Sequence, residues 1–485
     1  MGRGSVRNAS CTILDKVNDH MDAPWDRRII NLAYSRLLLP YFEPRSYRGV
    51  SKIQREYEAT ERLPLATNLQ TQWRSLLQML QHAYDTTAFY RQRFDAAGVS
   101  VKDIQSPDDL KKIPPVTRDD LRAHALDMCS RSFAPDQLTK AATGGTTDTP
   151  VTLYRNASSL PYKNAVQARF NAWADFRPGD KTFFLWGAQS DYAANPSWRW
   201  RFYDQRLMRR FWAPTSVFNR EVFTNYRDRL NRMRPRVMYA YPTPLALFSE
   251  FLSESGADYH RPAVVITTAE LLLGDQRALI EQAMGGKVFD HFGARDFGMI
   301  AAECAAHDGL HLNPHAAFIE HIPLASMETA DLHEMLVTDL LNFGMPLIRY
   351  KVNDCSVLGR QDCSCGVGYP KIQKIMGRTT DNFYLADGTV VSGVVARRLG
   401  NYCPGIKKIQ IVQEALDYFE VRYVTGPGFA DSDVQTLRQK LFEAFGKEVR
   451  LELRSLPDIE RERSGKTRLC ISKVGPRGKR GGHPS

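Results

Sequence analysis

The sequence lacks any long hydrophobic run. Residues 37–42 are apolar, but this stretch is far below the roughly 18 residues that a membrane-spanning helix requires, so we expect no membrane span. The basic residues near the N-terminus are not followed by an apolar segment, and we therefore expect no secretory signal. Position 6 is Val6, where the N-myristoylation pattern requires serine or threonine, so that modification is not expected.

Closely spaced cysteines are also scarce. The eight cysteines are scattered along 485 residues, apart from Cys363 and Cys365. Without an export signal, this pattern is typical of free thiols in a reducing compartment, so we expect a cytoplasmic protein. The motif Gly-x4-Gly-Lys-Ser/Thr is missing as well, which excludes the nucleotide-binding loop of P-loop NTPases.

The composition that is present is typical of a globular protein with more than one domain. Hydrophobic residues make up 43% and charged residues 25% of the 485 residues, a length that exceeds one hydrophobic core. The net charge is +11, and residues 198–210 interleave tryptophan with arginine. Such a cluster can bind single-stranded nucleic acid. We favour an amphipathic helix with a solvated basic face, with attraction of ATP or coenzyme A as a third interpretation, and expect no nucleic-acid partner.

The pattern of the chain changes twice. Up to about residue 130, apolar residues recur at helical spacing. Short apolar runs at residues 182–186, 263–266 and 287–289 then alternate with helical stretches, which indicates α/β units around a largely parallel sheet. From residue 377, strand-like runs surround a helical stretch at residues 434–445 and indicate a small α+β module.

We therefore predict an α/β fold with two domains. Residues 51–376 form a large N-terminal domain with α/β sheet layers, and residues 377–474 form a small, mobile α+β C-terminal domain. Residues 1–50 are expected to be a flexible segment, and the basic, glycine- and proline-rich residues 475–485 a disordered tail.

Two short segments, far apart in the chain, suggest nucleotide chemistry. One is a loop of small and hydroxyl residues that begins with Thr143, Gly144, Gly145, Thr146 and Thr147. Its backbone amides can surround a phosphate, although ordinary turns use the same residue types. The other segment is Ser464-Gly465-Lys466, which places a lysine where it can reach an anion. Together they suggest ATP-driven activation of a carboxylate.

Further motifs between these two segments occur in a recognisable order. They are residues 267–271, 292–296, 348–354 and 377–381. This order resembles the adenylate-forming superfamily of acyl-CoA synthetases, adenylation domains and luciferases. Residues 86–93, 113–118 and 345–350 are most similar to its phenylacetate-CoA ligase branch, which includes CapK-type and coenzyme F390 synthetase-type proteins. The resemblance extends from about residue 50 to about residue 474.

The resemblance implies a role for each matching residue. Asp296 would help to hold Mg²⁺, for which a carboxylate is a suitable hard ligand. Lys466 would bridge the carboxylate and the α-phosphate, and Thr380 would occupy the hinge of the small domain. Asp354 would accept hydrogen bonds from the ribose, and Arg378 would reach ribose or phosphate. The resemblance implies further ATP contacts from Thr143, Gly144, Gly145, Thr146, Thr147, Phe292 and Gly293.

The chain departs from the family pattern at four of these positions. Asp148 and Thr149 replace the usual Gly-Lys of the loop, which removes a cation and adds an acid near phosphate. Asp296 replaces a glutamate, and Thr380 replaces an aspartate or lysine. These changes suggest reduced activity or an unusual substrate.

Three cysteines and two histidines suggest a structural zinc site. Cys304, Cys363 and Cys365, with either His307 or His311, would supply the four ligands that structural zinc prefers. The alternative is that these are ordinary thiols and surface histidines. A catalytic zinc is not expected, because all four positions would be protein ligands.

The resemblance implies an enzyme with two half-reactions. A carboxylic acid and ATP would form acyl-AMP and pyrophosphate, and the acyl group would then pass to an acceptor, most often coenzyme A. The alternatives are an amide- or ester-forming ligase with another acceptor and a non-catalytic protein on the same fold. The acyl pocket would include Trp186, Tyr239, Tyr241 and Ala269. These aromatic residues suggest a flat or aromatic acyl group, or alternatively belong to the hydrophobic core.

Overall fold

The computed structural model describes residues 47, 49–142, 151–186, 204–205, 208–215, 220–324, 332–378, 382–386, 390–392, 399, 402–403, 405–459 and 469–474. In chain order, its α-helices are α1 (Val50–Thr60), α2 (Leu65–Thr86), α3 (Ala88–Ala96), α4 (Arg118–His124), α5 (Leu160–Trp173), α6 (Arg220–Met233), α7 (Pro242–Glu254), α8 (Gly274–Met284) and α9 (Asp431–Phe445).

The described strands, also in chain order, are β1 (Leu138–Ala142), β2 (Thr152–Asn156), β3 (Thr182–Trp186), β4 (Arg210–Pro214), β5 (Val237–Ala240), β6 (Val264–Thr268), β7 (Val288–Ala294), β8 (Gly298–Glu303), β9 (Leu310–Leu312), β10 (Ala317–Pro323), β11 (Leu332–Asp339), β12 (Tyr350–Leu358), β13 (Lys371–Arg378), β14 (Asn382–Tyr384), β15 (Val390–Ser392), β16 (Ile406–Ala415), β17 (Tyr418–Thr425), β18 (Arg450–Ser455) and β19 (Cys470–Ser472).

The chain forms two compact units, and the first comprises Met1–Ala59, Asn164–Phe292 and Ala302–Ala305. Its strands pair in parallel in the order β4-β3-β5-β6-β7. All residues of β5 and β6 are buried, as expected for parallel strands that are covered on both faces. The prediction of α/β units around a largely parallel sheet is confirmed here.

Helices α7 and α8 of this unit begin and end at residues suited to those positions. Pro242 is the first residue of α7, where its missing N–H is not needed. The carboxylate of Glu270 accepts a hydrogen bond of 3.1 Å from the Thr243 N–H in the first turn of α7. Helix α8 ends at Gly285, whose φ of 74° is the left-handed conformation common at helix ends.

The second unit comprises Thr60–Lys163, Gly293–Ala301 and Ala306–Ser485. It begins with the predicted helical region, in which α2 buries Leu76, Leu80 and Ala83 along one face. The Thr117 side chain caps α4 by accepting a hydrogen bond from the Asp120 N–H, while Ser106 precedes a 3₁₀ helix, Pro107–Lys112. Strands of this unit pair antiparallel in the order β10-β11-β12-β13-β9.

The C-terminal part of the second unit contains the predicted α+β module. Strands β18, β17, β16 and β19 form a four-stranded sheet in that order, and α9 packs on it. Phe419 of β17 and Phe445 of α9 stack with ring centroids 4.4 Å apart. The fold-class prediction, including this smaller C-terminal region, is confirmed. The boundary at residue 377 and the mobility of the module stay predictions, and residues 1–46 and 475–485 lie outside the described residues.

The helices that the structure describes include none that is both long enough and apolar enough to cross a membrane.

Candidate functional site

Part of the predicted site lies outside the described residues. This applies to the phosphate loop at residues 143–150, the hinge residue Thr380 and the catalytic lysine Lys466. The roles of these residues stay predictions. The basic cluster at residues 198–210 also lies largely outside the described part of the chain.

Two of the segments that carried the family resemblance meet at Tyr90. This side chain is fully buried, and its hydroxyl donates to the Pro346 carbonyl and accepts from the Ile348 N–H, each at 3.0 Å. Burial raises the pKa of the Tyr90 hydroxyl. The residues 86–93 segment therefore holds the residues 345–350 segment in place.

The residues 113–118 segment docks on the same region. The Val116 N–H donates to the Arg349 carbonyl at 3.1 Å, and the Lys351 N–H donates to the Val116 carbonyl at 2.9 Å. The buried Arg349 guanidinium contacts the Ile113 carbonyl and lies 2.9 Å from the Glu320 carboxylate. Arg349 has a φ of 51°, a conformation that these contacts maintain. The three segments together fix the start of β12.

Asp296 lies in the turn between β7 and β8. It is 7% exposed, and its carboxylate interacts electrostatically with the hydroxyl of Tyr350 at the start of β12. Burial, reinforced by the Asp296 charge, raises the pKa of Tyr350, so that this phenol stays protonated and can donate. The turn requires Gly293, because a Cβ there would lie 2.5 Å from the Gly298 carbonyl oxygen.

Arg155 of β2 lies beside the same turn. Its guanidinium donates to the Arg295 carbonyl, and the charges of Asp296 and Asp339 act on it. Burial lowers the pKa of Arg155, and the two carboxylates partly offset that effect. The Arg155 Nε has no hydrogen-bond partner among the described residues. Asp296 thus has a hydroxyl donor and a cation close to it, and its carboxylate is a suitable oxygen ligand for Mg²⁺.

Asp354 and Arg378, the predicted ribose contacts, are direct partners in the antiparallel pairing of β12 and β13. The backbone between Tyr350 and Asp354 is irregular, with a φ of 61° at Asn353. The structure therefore brings these two positions together, although they are well separated in the chain. The Arg378 side chain is outside the described part of the structure.

The predicted acyl-pocket residues lie at the carboxyl ends of the parallel strands in the first unit. The Trp186 ring centroid is 4.6 Å from that of Tyr241 and 5.8 Å from that of Tyr239. Tyr239 is buried, whereas Trp186 and Tyr241 are half-buried. Ala269 follows β6 with a φ of 67° and is exposed. Carboxyl ends of parallel strands are a common location of ligand sites.

His291 is a residue of this region that the sequence analysis missed. It pairs with Thr268 in the β6–β7 register, and its ring centroid lies 6.1 Å from those of both Tyr239 and Phe170. It is 2% exposed, and neither ring nitrogen has a hydrogen-bond partner among the described residues. Burial lowers the pKa of His291 to about 3, so the ring is neutral. The sequence offered one signal for His291, which is that it directly precedes Phe292, a predicted ATP contact.

The proposed metal ligands Cys304, His311, Cys363 and Cys365 form a cluster in which the ligand atoms all lie within 4.8 Å of one another. The Cys365 Sγ is 3.3 Å from the His311 Nε2, while the His311 Nδ1 is 3.3 Å from the Tyr369 carbonyl oxygen. A donor hydrogen bond from Nδ1 leaves Nε2 available to a metal. Of the two candidate histidines, His311 lies in the cluster and His307, in the turn before β9, does not.

Comparisons with known proteins agree with this fold. Residues 383–473 match the family model of the CapK C-terminal domain. CapK of Staphylococcus aureus is 22% identical over 378 residues, which cover 75% of this chain and 80% of that protein. Phenylacetate-coenzyme A ligase of Thermus thermophilus is 23% identical over 398 residues, which cover 79% of this chain and 87% of that protein.

The structural comparison identifies the same fold. A crystal structure of 2-hydroxyisobutyryl-CoA ligase in the postadenylation state, in complex with R3-HIB-AMP, matches with a TM-score of 0.64 and 21% sequence identity. The match covers 85% of this chain and 91% of that one.

Proposed function

The chain is a relative of the phenylacetate-CoA ligase and CapK proteins of the adenylate-forming superfamily, and on this premise we propose that it activates a carboxylic acid with ATP. The first half-reaction forms acyl-AMP and releases pyrophosphate, and the second transfers the acyl group to coenzyme A. The observation that carries the proposal is the convergence of Asp296, Tyr350 and Arg155, with Asp354 opposite Arg378.

In the adenylation step, a carboxylate oxygen of the acid attacks the α-phosphorus of ATP, and the bond to the pyrophosphate leaving group breaks. Mg²⁺, when bound, neutralises charge on the phosphates, and Asp296 is the residue that would hold it. The protonated Tyr350 hydroxyl would orient the Asp296 carboxylate by donating a hydrogen bond to it. Lys466 approaches the α-phosphate, where negative charge grows in the transition state.

Arg155 compensates for the altered phosphate loop. The loop carries Asp148 and Thr149 where the family has Gly-Lys, so it has lost a cation. Arg155 follows the loop by only a few residues, on β2, and its guanidinium lies beside the Asp296 turn. Its fixed charge can therefore balance phosphate oxygens next to Asp296. This supports an active enzyme over a non-catalytic protein on the same fold.

Coenzyme A is proposed as the acceptor because the names of two similar proteins contain it. The protein similar in sequence is a phenylacetate-coenzyme A ligase, and the protein similar in structure is a 2-hydroxyisobutyryl-CoA ligase. An amine or a hydroxyl acceptor would make the enzyme an amide- or ester-forming ligase with the same first half-reaction. The identity of the acceptor is therefore tested separately from adenylation.

A structural Zn²⁺ is proposed for the cluster of Cys304, His311, Cys363 and Cys365. The donor set of three thiols and one imidazole fits structural zinc. The Val367 N–H points to the Cys365 Sγ at 3.3 Å, and Arg62 donates to the Cys365 carbonyl at 2.7 Å. A donor to the sulfur favours its thiolate form, which is the form that binds metal. With four protein ligands, the metal would stabilise the fold and take no part in the chemistry.

ATP–pyrophosphate exchange tests the first half-reaction. Purified protein with Mg²⁺ and a panel of aryl, fatty, hydroxy and amino acids should incorporate labelled pyrophosphate into ATP with at least one acid. Addition of coenzyme A should then yield an acyl-CoA and AMP. Exchange without thioester formation would indicate that the second half-reaction uses another acceptor. Absence of exchange with every acid would contradict the proposed function.

A further inference from the structure

His291 is a buried polar side chain that its own surroundings do not satisfy. It is 2% exposed, and neither its Nδ1 nor its Nε2 has a hydrogen-bond partner among the described residues. Most buried polar groups in proteins have such a partner, and an exception calls for an explanation. A ligand that supplies the missing hydrogen bond is one such explanation.

The position of His291 relates this side chain to the acyl pocket. In the β6–β7 register His291 is the partner of Thr268, the last residue of β6. Its ring lies edge-on to Tyr239, at 6.1 Å between centroids, and Tyr239 in turn contacts Trp186 at 5.8 Å. His291 and Trp186 therefore belong to one aromatic layer at the carboxyl ends of the parallel strands.

The layer is suited to a flat group. The rings of Phe170 and Tyr239 each lie 6.1 Å from the imidazole of His291, and Tyr241 lies 4.6 Å from Trp186. Burial lowers the pKa of His291 to about 3, which makes the imidazole neutral.

We propose that His291 hydrogen-bonds a ring hydroxyl of the acyl group and so selects hydroxyaryl carboxylic acids as substrates. A neutral imidazole offers one N–H donor and one nitrogen acceptor, and a hydroxyl can pair with either. The aromatic layer would contact the ring of the acid, and the imidazole would form a hydrogen bond with the hydroxyl of that ring. This inference rests on the proposed adenylation activity, since it specifies the acid which that reaction takes.

The test compares acids that differ only in one ring hydroxyl. Pyrophosphate exchange would be measured for benzoic and phenylacetic acids and for each of their monohydroxylated isomers, and kcat/KM compared within each pair. A site that binds a hydroxyl with a buried polar group discriminates against the acid that lacks it. The wild-type protein should favour at least one hydroxylated isomer by about tenfold or more.

Substitution of His291 tests whether this side chain is the cause. In His291→Phe the ratio of kcat/KM between the hydroxylated and unsubstituted acids should fall by about tenfold, the value of one hydrogen bond. His291→Gln keeps a donor and an acceptor and should retain part of the preference. The control is Tyr259→Phe, which removes a half-buried hydroxyl that donates to the Ala283 carbonyl in α8, and should leave the ratio as in wild type.

The outcomes separate this inference from the proposed function. Two results would overturn the role of His291 while adenylation stands. One is a wild-type ratio of kcat/KM between hydroxylated and unsubstituted acids that is near one. The other is a ratio that does not change in His291→Phe. Absence of exchange with every acid would overturn both. If His291→Phe does not fold, the wild-type preference and the His291→Gln variant still decide the matter.

Discussion

The carboxylate of Asp296, in the turn after β7, acts on the hydroxyl of Tyr350, the first residue of β12, and together with burial raises the pKa of that phenol. The residues 86–93, 113–118 and 345–350 segments hold Tyr350 in this place through Tyr90 and Arg349. These three segments thus act as scaffolding for the start of β12.

Tyr350→Phe removes the hydroxyl on which Asp296 acts while keeping the ring. Exchange activity should fall by about 10–100-fold, the usual effect of removing a residue that orients a metal ligand, and more Mg²⁺ should be needed for half-maximal rate. The measurement is a Mg²⁺ titration of pyrophosphate exchange. Tyr84→Phe is the control, since it removes a tyrosine–aspartate hydrogen bond of 3.1 Å at the exposed Asp95. Equal Mg²⁺ dependence in Tyr350→Phe and wild type would contradict the role of Tyr350.

Arg155→Ala removes the cation that is proposed to replace the lost loop lysine. The KM for ATP should rise, because a partly buried charge next to Asp296 no longer balances the phosphates. Arg155→Lys should recover part of the loss. Arg122→Ala, which breaks a solvent-exposed pair with Asp119, serves as the control. An unchanged KM for ATP in Arg155→Ala would remove this residue from the site.

Lys466→Ala should abolish acyl-adenylate formation while the protein stays folded. A cation placed at the α-phosphate acts where charge grows in the transition state, and the loss of one such contact typically lowers the rate by about 10²–10³. Pyrophosphate exchange measures the effect, and thermal unfolding checks the fold. Exchange at the wild-type rate would show that Lys466 does not have this role.

Much of the fold could be predicted from the sequence because it follows from local pattern. The apolar run at residues 263–266 became part of a buried parallel strand, and the helical stretch at residues 434–445 became part of α9. The roles of Tyr350, Arg155 and His291 could not be predicted in this way. Their partners are brought close by tertiary packing. Helical and strand periodicity indicate local structure only and do not predict such contacts.

The choice between His307 and His311 illustrates the same limit. Both histidines lie a few residues after Cys304, so spacing treats them alike. In the structure His311 belongs to β9, which pairs with Lys371 of β13, whereas His307 lies in the preceding turn with a φ of 51°. Strand pairing therefore directs His311 toward the Cys363–Cys365 loop.

Thr380→Pro should impair acyl transfer more than adenylation. Proline fixes φ at the position proposed as the hinge, and rotation of the small domain between half-reactions requires a change of backbone angles there. Pyrophosphate exchange and thioester formation would be measured separately on the same preparation. An equal loss in both half-reactions would contradict a hinge at Thr380.

Purified protein should contain about one zinc per chain, held by Cys304, His311, Cys363 and Cys365. Because binding requires a folded arrangement of deprotonated thiols, the metal should stabilise the native state, and Cys363→Ser should lower both zinc content and the unfolding temperature. Cys129→Ser is a matched control, since its thiol is half-buried and bonds the Ala125 carbonyl instead. Metal analysis would decide the question directly. Protein prepared without chelator and free of zinc would contradict the site, as would a Cys363→Ser variant with wild-type zinc content.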